Sequence, residues 1–290
     1  MIEISMDPFL LTVGSLNIAW HGLMTGVAVL VGLIIVTRLA RSTDIAIESV
    51  YSAALWAIVG GIIGARVVHV ADHWGSIYSN DPWQMLYFWE GGLSLYGAIY
   101  GGFLFGAVYC LLRKLPMGRL ADLAVPGVIV AQAIGRIGCL INGDAYGTLT
   151  SLPWGVFYIH PNAASSTVLL EARHPVPAYE IIYDLLIFAL LLRLRKRLKR
   201  DWMLFLVYAS AYATGRFFLS FIRGDEVAVL GSLHEAHVIS LIVIAVTVPL
   251  LIWLARRPAP ESVEARAVEE ERLVTETASG GDQAAGDSSG

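Results

Sequence analysis

The chain has 290 residues, is 56% hydrophobic and only 15% charged, and has a mean hydropathy of +0.64. A soluble domain carries about 25% charge, so these values exclude a water-soluble globule and indicate an integral membrane protein. The net charge of -4 is uninformative because the charges are segregated, and two cysteines, Cys110 and Cys139, build no disulfide framework.

Met1-Ile2-Glu3-Ile4 lacks the basic flank of a cleavable signal, and the first apolar run is long enough to span. Seven apolar runs approach the roughly 20 residues that a bilayer crossing needs. They lie near 16–38, 47–70, 92–112, 119–138, 177–195, 203–222 and 236–255. The expected fold is therefore an all-α integral membrane protein with seven transmembrane helices over 1–257. Arg38 and Arg41 follow the first run, and Arg113, Lys114 and Arg119 separate the third and fourth. Arg193, Arg195, Lys196, Arg197, Lys199 and Arg200 separate the fifth and sixth, and Arg256 and Arg257 follow the seventh. Alternating spans put all four groups on one side, which the positive-inside rule makes cytoplasmic. The N-terminus is then outside and the C-terminus cytoplasmic. Residues 258–290 are acidic and rich in Ala, Ser and Gly, as expected of a disordered cytoplasmic tail.

Five arginines remain toward the outer side: Arg66, Arg136, Arg173, Arg216 and Arg223. Arg66, Arg136 and Arg216 follow glycines inside or at the end of apolar runs. A guanidinium at membrane depth is costly without an anionic partner, and its fork suits a lipid phosphate. Separate snorkelling to the headgroups is the plainer alternative. The densest polar break is Gly135-Arg136-Ile137-Gly138-Cys139-Leu140-Ile141-Asn142-Gly143-Asp144-Ala145-Tyr146-Gly147. A loosened backbone with polar side chains must line a cavity or face water; a glycine-capped helix end accounts for it more simply.

Gly60 and Gly64, and Gly97 and Gly101, read as helix-packing pairs. The third span opens Trp89-Glu90-Gly91-Gly92-Leu93-Ser94-Leu95-Tyr96-Gly97, behind an interfacial belt of Trp83, Tyr87 and Trp89. Tyr96 is a further belt residue or a proton donor. Residues 143–176 form a long outer segment. Glu180 then enters the fifth span's first turns, where a carboxylate favours the helix N-terminus or pairs with an outer arginine. His69 and His73 have chelating i, i+4 spacing beside Asp72. No third ligand is apparent, and interfacial histidines are the better account of the pair.

Together these segments resemble the prolipoprotein diacylglyceryl transferase family, from about residue 15 to 255. Gly135 to Gly143 matches the family's Gly-Arg-x-Gly-(Asn/Cys)-x-x-Asn-Gly. Trp20-His21-Gly22-Leu23, Gly64-Ala65-Arg66, Trp89 to Ser94, His174-Pro175 through Tyr179-Glu180, Tyr212 with Arg216, and Arg223-Gly224-Asp225 match further family segments. The resemblance implies a bacterial plasma-membrane, multi-pass enzyme with its site toward the outer face. Its reaction is transfer of diacylglyceryl from phosphatidylglycerol to the lipobox cysteine thiol of a prolipoprotein, releasing glycerol phosphate. The implied partners are phosphatidylglycerol, lipobox peptides and membrane lipid, with no nucleic acid, no metal and no soluble cofactor.

By carry-over, Arg136 and Arg216 would neutralise the leaving phosphate. Arg66, Asn142, Glu180, Tyr212, Gly91 and Gly92 would line the phospholipid site. Tyr96 stands where the family usually has histidine, and His21 where it usually has tyrosine. The matched exchange suggests that His21 and Tyr96 face one cavity and share proton transfer, for which His21 has the better ordinary pKa. The alternative is a diverged homologue that binds anionic phospholipid without turnover.

Overall fold

A computed structural model describes residues 1–14, 16–87, 91–164, 171–198, 200–225, 228–231 and 233–257. Trp89, Glu90, Lys199, Glu226 and the acidic segment 258–290 lie outside the described residues. Among the described residues seven α-helices carry the architecture: α1 Trp20–Ala40, α2 Ile47–Asp72, α3 Leu95–Leu112, α4 Met117–Asn142, α5 Val176–Leu194, α6 Met203–Ser220 and α7 Glu235–Arg256. Five of them, α1, α2, α3, α4 and α7, are long and apolar enough to cross a membrane. Helix α5 carries Glu180, Asp184 and Arg193, and α6 carries Arg216, so their composition is more polar. Met1–Leu251 forms one compact unit and Ile252–Gly290 a second. Of the second unit only 252–257 are described, where the Arg257 guanidinium lies 3.5 Å from the Trp253 ring centroid.

Two helix ends correct the sequence reading. The apolar run at 16–19 is not the start of α1. It is a strand, β3 (Leu16–Ala19), paired antiparallel with β2 (Phe9–Val13) across a turn at Gly14, whose φ is +61°. A short apolar run does not by itself distinguish strand from helix. The second concerns 135–142, where the structure has the glycine-capped helix end and not the loosened break. Helix α4 continues through these residues to Asn142 and is capped by left-handed Gly143, whose N–H donates to the Cys139 carbonyl at 3.0 Å. Gly138 stays helical because α1 packs against it: a Cβ there would lie 2.9 Å from His21 Cα.

Helices α2 and α3 pair tightly, as do α1 and α4, while α5 packs on both α4 and α6. Glycines set the first two approaches. A Cβ on Gly64 would lie 2.3 Å from the Gly97 carbonyl oxygen, and one on Gly97 2.2 Å from the Gly64 oxygen. Gly32 and Gly127 play the same part between α1 and α4. Gly64→Ala is therefore expected to destabilise the protein by about 2 kcal/mol through overpacking. Thermal unfolding in detergent checks this; an unchanged midpoint would show that the helices separate freely.

The core between α4, α5 and α6 is Val125, Ile129, Ile187, Leu191 and Leu204. Asp122 on α4 accepts from the Phe205 N–H at 2.7 Å, satisfying a donor in the first turn of α6. Tyr183 on α5 donates to the Ala211 carbonyl at 2.6 Å and lays its ring on Gly215, where a Cβ would come within 2.0 Å of a ring carbon. These contacts fix α6 in height and rotation, and so aim the next residue, Arg216.

One end of the bundle is covered by short structure. Strand β1 (Ile2–Ile4) runs parallel to β4 (Val156–Tyr158), with Val156, Tyr158 and Ala163 buried against Ile4. A bridge from Gly147 to Arg223 ties the 143–175 segment to the end of α6, and one from Leu149 to Arg173 folds that segment on itself. A last hairpin pairs β5 (Ala228–Leu230) with β6 (Leu233–His234). At the opposite helix ends lie the basic groups, with Arg195 donating to Ser42 at 3.0 Å and Arg119 pairing with Asp201 at 3.2 Å.

Candidate functional site

Glu180 is the centre of the covered end. It sits in the first turns of α5, set by Pro175 and Pro177, and is 5% exposed. A buried carboxylate is sustained only by charge partners, and Glu180 has three. Arg136, near the end of α4, brings Nε to 2.7 Å from Oε2. Arg216 on α6 donates through Nη1 to Oε1 at 3.0 Å. Arg223 lies 3.7 Å from the same oxygen. Arg223 is also held bidentately by Asp225, through Nε at 2.9 Å and through Nη2. Among the described residues the ion-paired set brings together Arg136, Arg216 and Arg223 with Glu180 and Asp225.

The exposure differs in a useful way. The side chains of Arg136 and Arg216 are 22% and 20% exposed, against 6% for Glu180. Both arginines are thus partly exposed while they hold a nearly buried carboxylate. Tyr212 lies one turn before Arg216 on α6 and stacks on Tyr208, with centroids 6.1 Å apart. Tyr208 in turn donates to Gln132 Oε1 at 3.0 Å.

A second group of side chains adjoins Arg136. Its Nη1 is 4.0 Å from Cys139 Sγ, and that sulfur is 3.8 Å from His21 Nδ1 in the first turn of α1. One ligand atom each of His21, Cys139 and Asp144 lie within 4.8 Å of one another. Asp144 follows the Gly143 cap, and its buried Oδ1 has no hydrogen-bond partner among the described residues. Tyr158 closes the same corner, donating to the Leu140 carbonyl at 2.7 Å. Burial, and then the charge of Asp144, hold its hydroxyl well above the usual tyrosine range, so it remains a donor.

The other expected site residues are placed differently. His21 belongs to the α1/α4 pair, whereas Tyr96 begins α3 in the α2/α3 pair and is 39% exposed. Arg66, expected at the phospholipid, has its guanidinium committed to the α2–α3 connection. It donates to the carbonyls of Gln84 at 2.5 Å, Met85 at 2.8 Å, Gly91 at 2.7 Å and Gly92 at 3.0 Å. Gly91 and Gly92 are needed for that turn, at φ +93° and +73°. Asn142 ends α4, and its carbonyl accepts from the Ala164 N–H at 2.9 Å. His69 and His73 stack their rings at 4.2 Å, and His73 Nδ1 lies 3.1 Å from the His69 carbonyl, which turns that nitrogen back on its own helix.

Cys139 and Asp144 carry no site role on sequence grounds alone, and Arg223 enters there only as one of the five outer arginines. Arg223 has the same signal as Arg136, a cation on the sparsely basic side. Cys139 and Asp144 lie inside the polar break itself, but their significance depends on α1 delivering His21 beside them.

A sequence profile of the prolipoprotein diacylglyceryl transferase family matches residues 8–253. Curated relatives named phosphatidylglycerol–prolipoprotein diacylglyceryl transferase match most of the chain. The protein from Dehalococcoides mccartyi is 40% identical over 260 residues, covering 89% of this chain and 97% of its own length. That from Nostoc sp. is 36% identical over 268 residues, covering 89% and 94%. That from Gloeobacter violaceus is 34% identical over 257 residues, covering 88% and 95%.

Proposed function

The chain belongs to the prolipoprotein diacylglyceryl transferase family, and we propose that it moves the diacylglyceryl group of phosphatidylglycerol onto the lipobox cysteine thiol of prolipoproteins. The observation that carries this reading is the trio of Arg136, Arg216 and Arg223 gathered on one buried carboxylate. The reaction requires a phosphate to leave as an anion, and preorganised cations are what lower such a barrier. Two of the three guanidiniums keep an accessible face, and the bidentate fork matches phosphate oxygens.

The chemistry follows in order. The phospholipid phosphate settles on the exposed faces of Arg136 and Arg216. The acceptor thiol, mostly protonated near neutral pH, must lose its proton to attack carbon. His21 is the group we assign to take it, because its ring lies within one side chain of Arg136, bridged by Cys139. The thiolate then displaces the phosphate at the glyceryl carbon. The C–O bond breaks toward phosphate, giving a thioether and glycerol phosphate. Tyr96, on the other helix pair, supports the lipid side of the site in this scheme. Asn142 and Tyr212 line it near the ends of α4 and α6.

All seven helices cross the bilayer in this reading. The two more polar ones, α5 and α6, are shielded by α4 and carry the inward-facing charges. The basic helix ends then face the cytoplasm and the covered end faces outward, in the bacterial plasma membrane. Similarity along nearly the whole chain to proteins named for the enzyme favours turnover over a lipid-binding homologue without it.

The test is mass spectrometry of a lipobox peptide incubated with the purified protein and phosphatidylglycerol. A gain of one diacylglyceryl group is expected; no gain, with lipid retained on the protein, would refute turnover. His21→Phe is expected to slow the transfer by about 10²-fold, the ordinary loss when a general base is removed. Unchanged transfer in that variant would exclude His21 as the proton acceptor.

A further inference from the structure

We propose that His21, Cys139 and Asp144 form a binding site for a thiolate-preferring divalent cation, zinc above all, and that occupancy shuts off transfer. The three donors come from separate elements: the first turn of α1, the last turn of α4 and the residue after its Gly143 cap. Their ligand atoms lie within 4.8 Å of one another, the sulfur and His21 Nδ1 at 3.8 Å. At ordinary zinc bond lengths, tetrahedral ligand atoms are separated by about 3.4–3.6 Å. The His21–Cys139 separation is already close to that, and the third donor needs a shift of about 1 Å.

The chemistry of the set points the same way. Imidazole, thiolate and carboxylate are the ligand types that zinc takes together. A carboxylate and a metal-bound thiolate balance the dication, so the occupied site is itself neutral beside Arg136. The buried Asp144 Oδ1 has no hydrogen-bond partner among the described residues and would gain one in the ion. The site is also built to hold its shape. Gly138 admits α1 to within contact of α4, and Tyr158 fixes the Leu140 carbonyl beneath the corner. Among the described residues no third ligand joins the stacked pair His69 and His73.

An ion here takes the His21 nitrogen that faces Cys139, whose sulfur is 4.0 Å from Arg136 Nη1. Proton removal from the acceptor thiol stops, so zinc inhibits. The inhibition rests on the transferase reading; the binding does not.

The decisive variant is Cys139→Asn, since asparagine is the other residue type in the resembling family's motif at this position. The full-length purified protein, treated with chelator, is titrated with Co2+ and followed by its thiolate-to-cobalt charge-transfer band. Transfer to a lipobox peptide is then measured with and without Zn2+. The expected results are a band saturating at one Co2+ per chain, displaced by Zn2+, and absent from Cys139→Asn. Zinc should lower transfer by about 10²-fold in the native chain, the loss of a general base. In Cys139→Asn the ratio of transfer with Zn2+ to transfer without it should stay near one whatever its metal-free rate, with metal affinity weakened at least about 100-fold. Cys139→Ser gives the same spectral readout with a smaller change of shape.

No band in the native protein, or the same band in both variants, overturns the site. Equal inhibition of native and Cys139→Asn places the metal elsewhere and also overturns it. A Co2+ band without zinc inhibition overturns the shut-off alone. Absence of transfer in metal-free native protein would refute the transferase reading, while the spectral titration still decides the metal site.

Discussion

Arg136→Ala is expected to lower kcat/KM for diacylglyceryl transfer by about 10³-fold or more, the scale at which single charge-stabilising groups act in acyl and phosphoryl transfer. Two effects combine. The variant loses a guanidinium aimed at the departing phosphate, and it removes the closest charge partner of Glu180, 2.7 Å away. The first effect belongs to the transition state and should appear mainly in kcat. The second leaves a nearly buried carboxylate with Arg216 and Arg223 alone. Arg136→Lys separates them. A lysine restores a positive charge to the carboxylate but not the bidentate fork, so stability should largely return while transfer remains depressed by at least about tenfold. The rate of thioether formation by mass spectrometry, read beside the thermal midpoint of each variant, decides the matter. Full transfer in Arg136→Ala would exclude this arginine from the phosphate site.

The helices were visible in the sequence because bilayer crossing demands long apolar runs, and such runs leave few alternatives. Their ends were less visible. Residues 16–19 are as apolar in a hairpin as in a helix, and only pairing with Phe9–Val13 distinguishes the two. Gly135 and Gly138 looked like a break in α4, yet Gly138 is a point of close approach to α1. Nothing in a single chain segment carries that distinction. The site divides in the same manner. Arg136, Arg216 and Glu180 stand out because charge at membrane depth needs a partner. Arg66 stands out for the same reason, but its partners are four loop carbonyls. Charge can be read from sequence; its direction cannot. Cys139 and Asp144 are ordinary residue types until α1 brings His21 to them, so their meaning is wholly tertiary.

Glu180→Gln is expected to cost about 3 kcal/mol of stability, because removing one member of a buried ion cluster leaves the others uncompensated. Glutamine keeps the shape of the side chain and can still accept from Arg216. It cannot offset three guanidiniums that converge on two oxygens. The thermal midpoint in detergent should fall by several degrees. The consequence for function has a distinctive sign. In the native protein Glu180 competes with the lipid phosphate for the same two arginines, while also holding them in place. Its removal should tighten binding of anionic phospholipid and yet lower kcat, since freed arginines bind a ground-state phosphate readily but no longer sit where charge develops. Saturating phosphatidylglycerol should then recover part of the lost thermal midpoint, because a ligand that binds only the folded state stabilises it by mass action. A zwitterionic phospholipid should recover less, its own ammonium offsetting the phosphate. An unchanged midpoint without lipid would mean that Glu180 does not hold the cluster. Equal recovery by both lipids would mean that the cluster does not select for the net charge of its ligand.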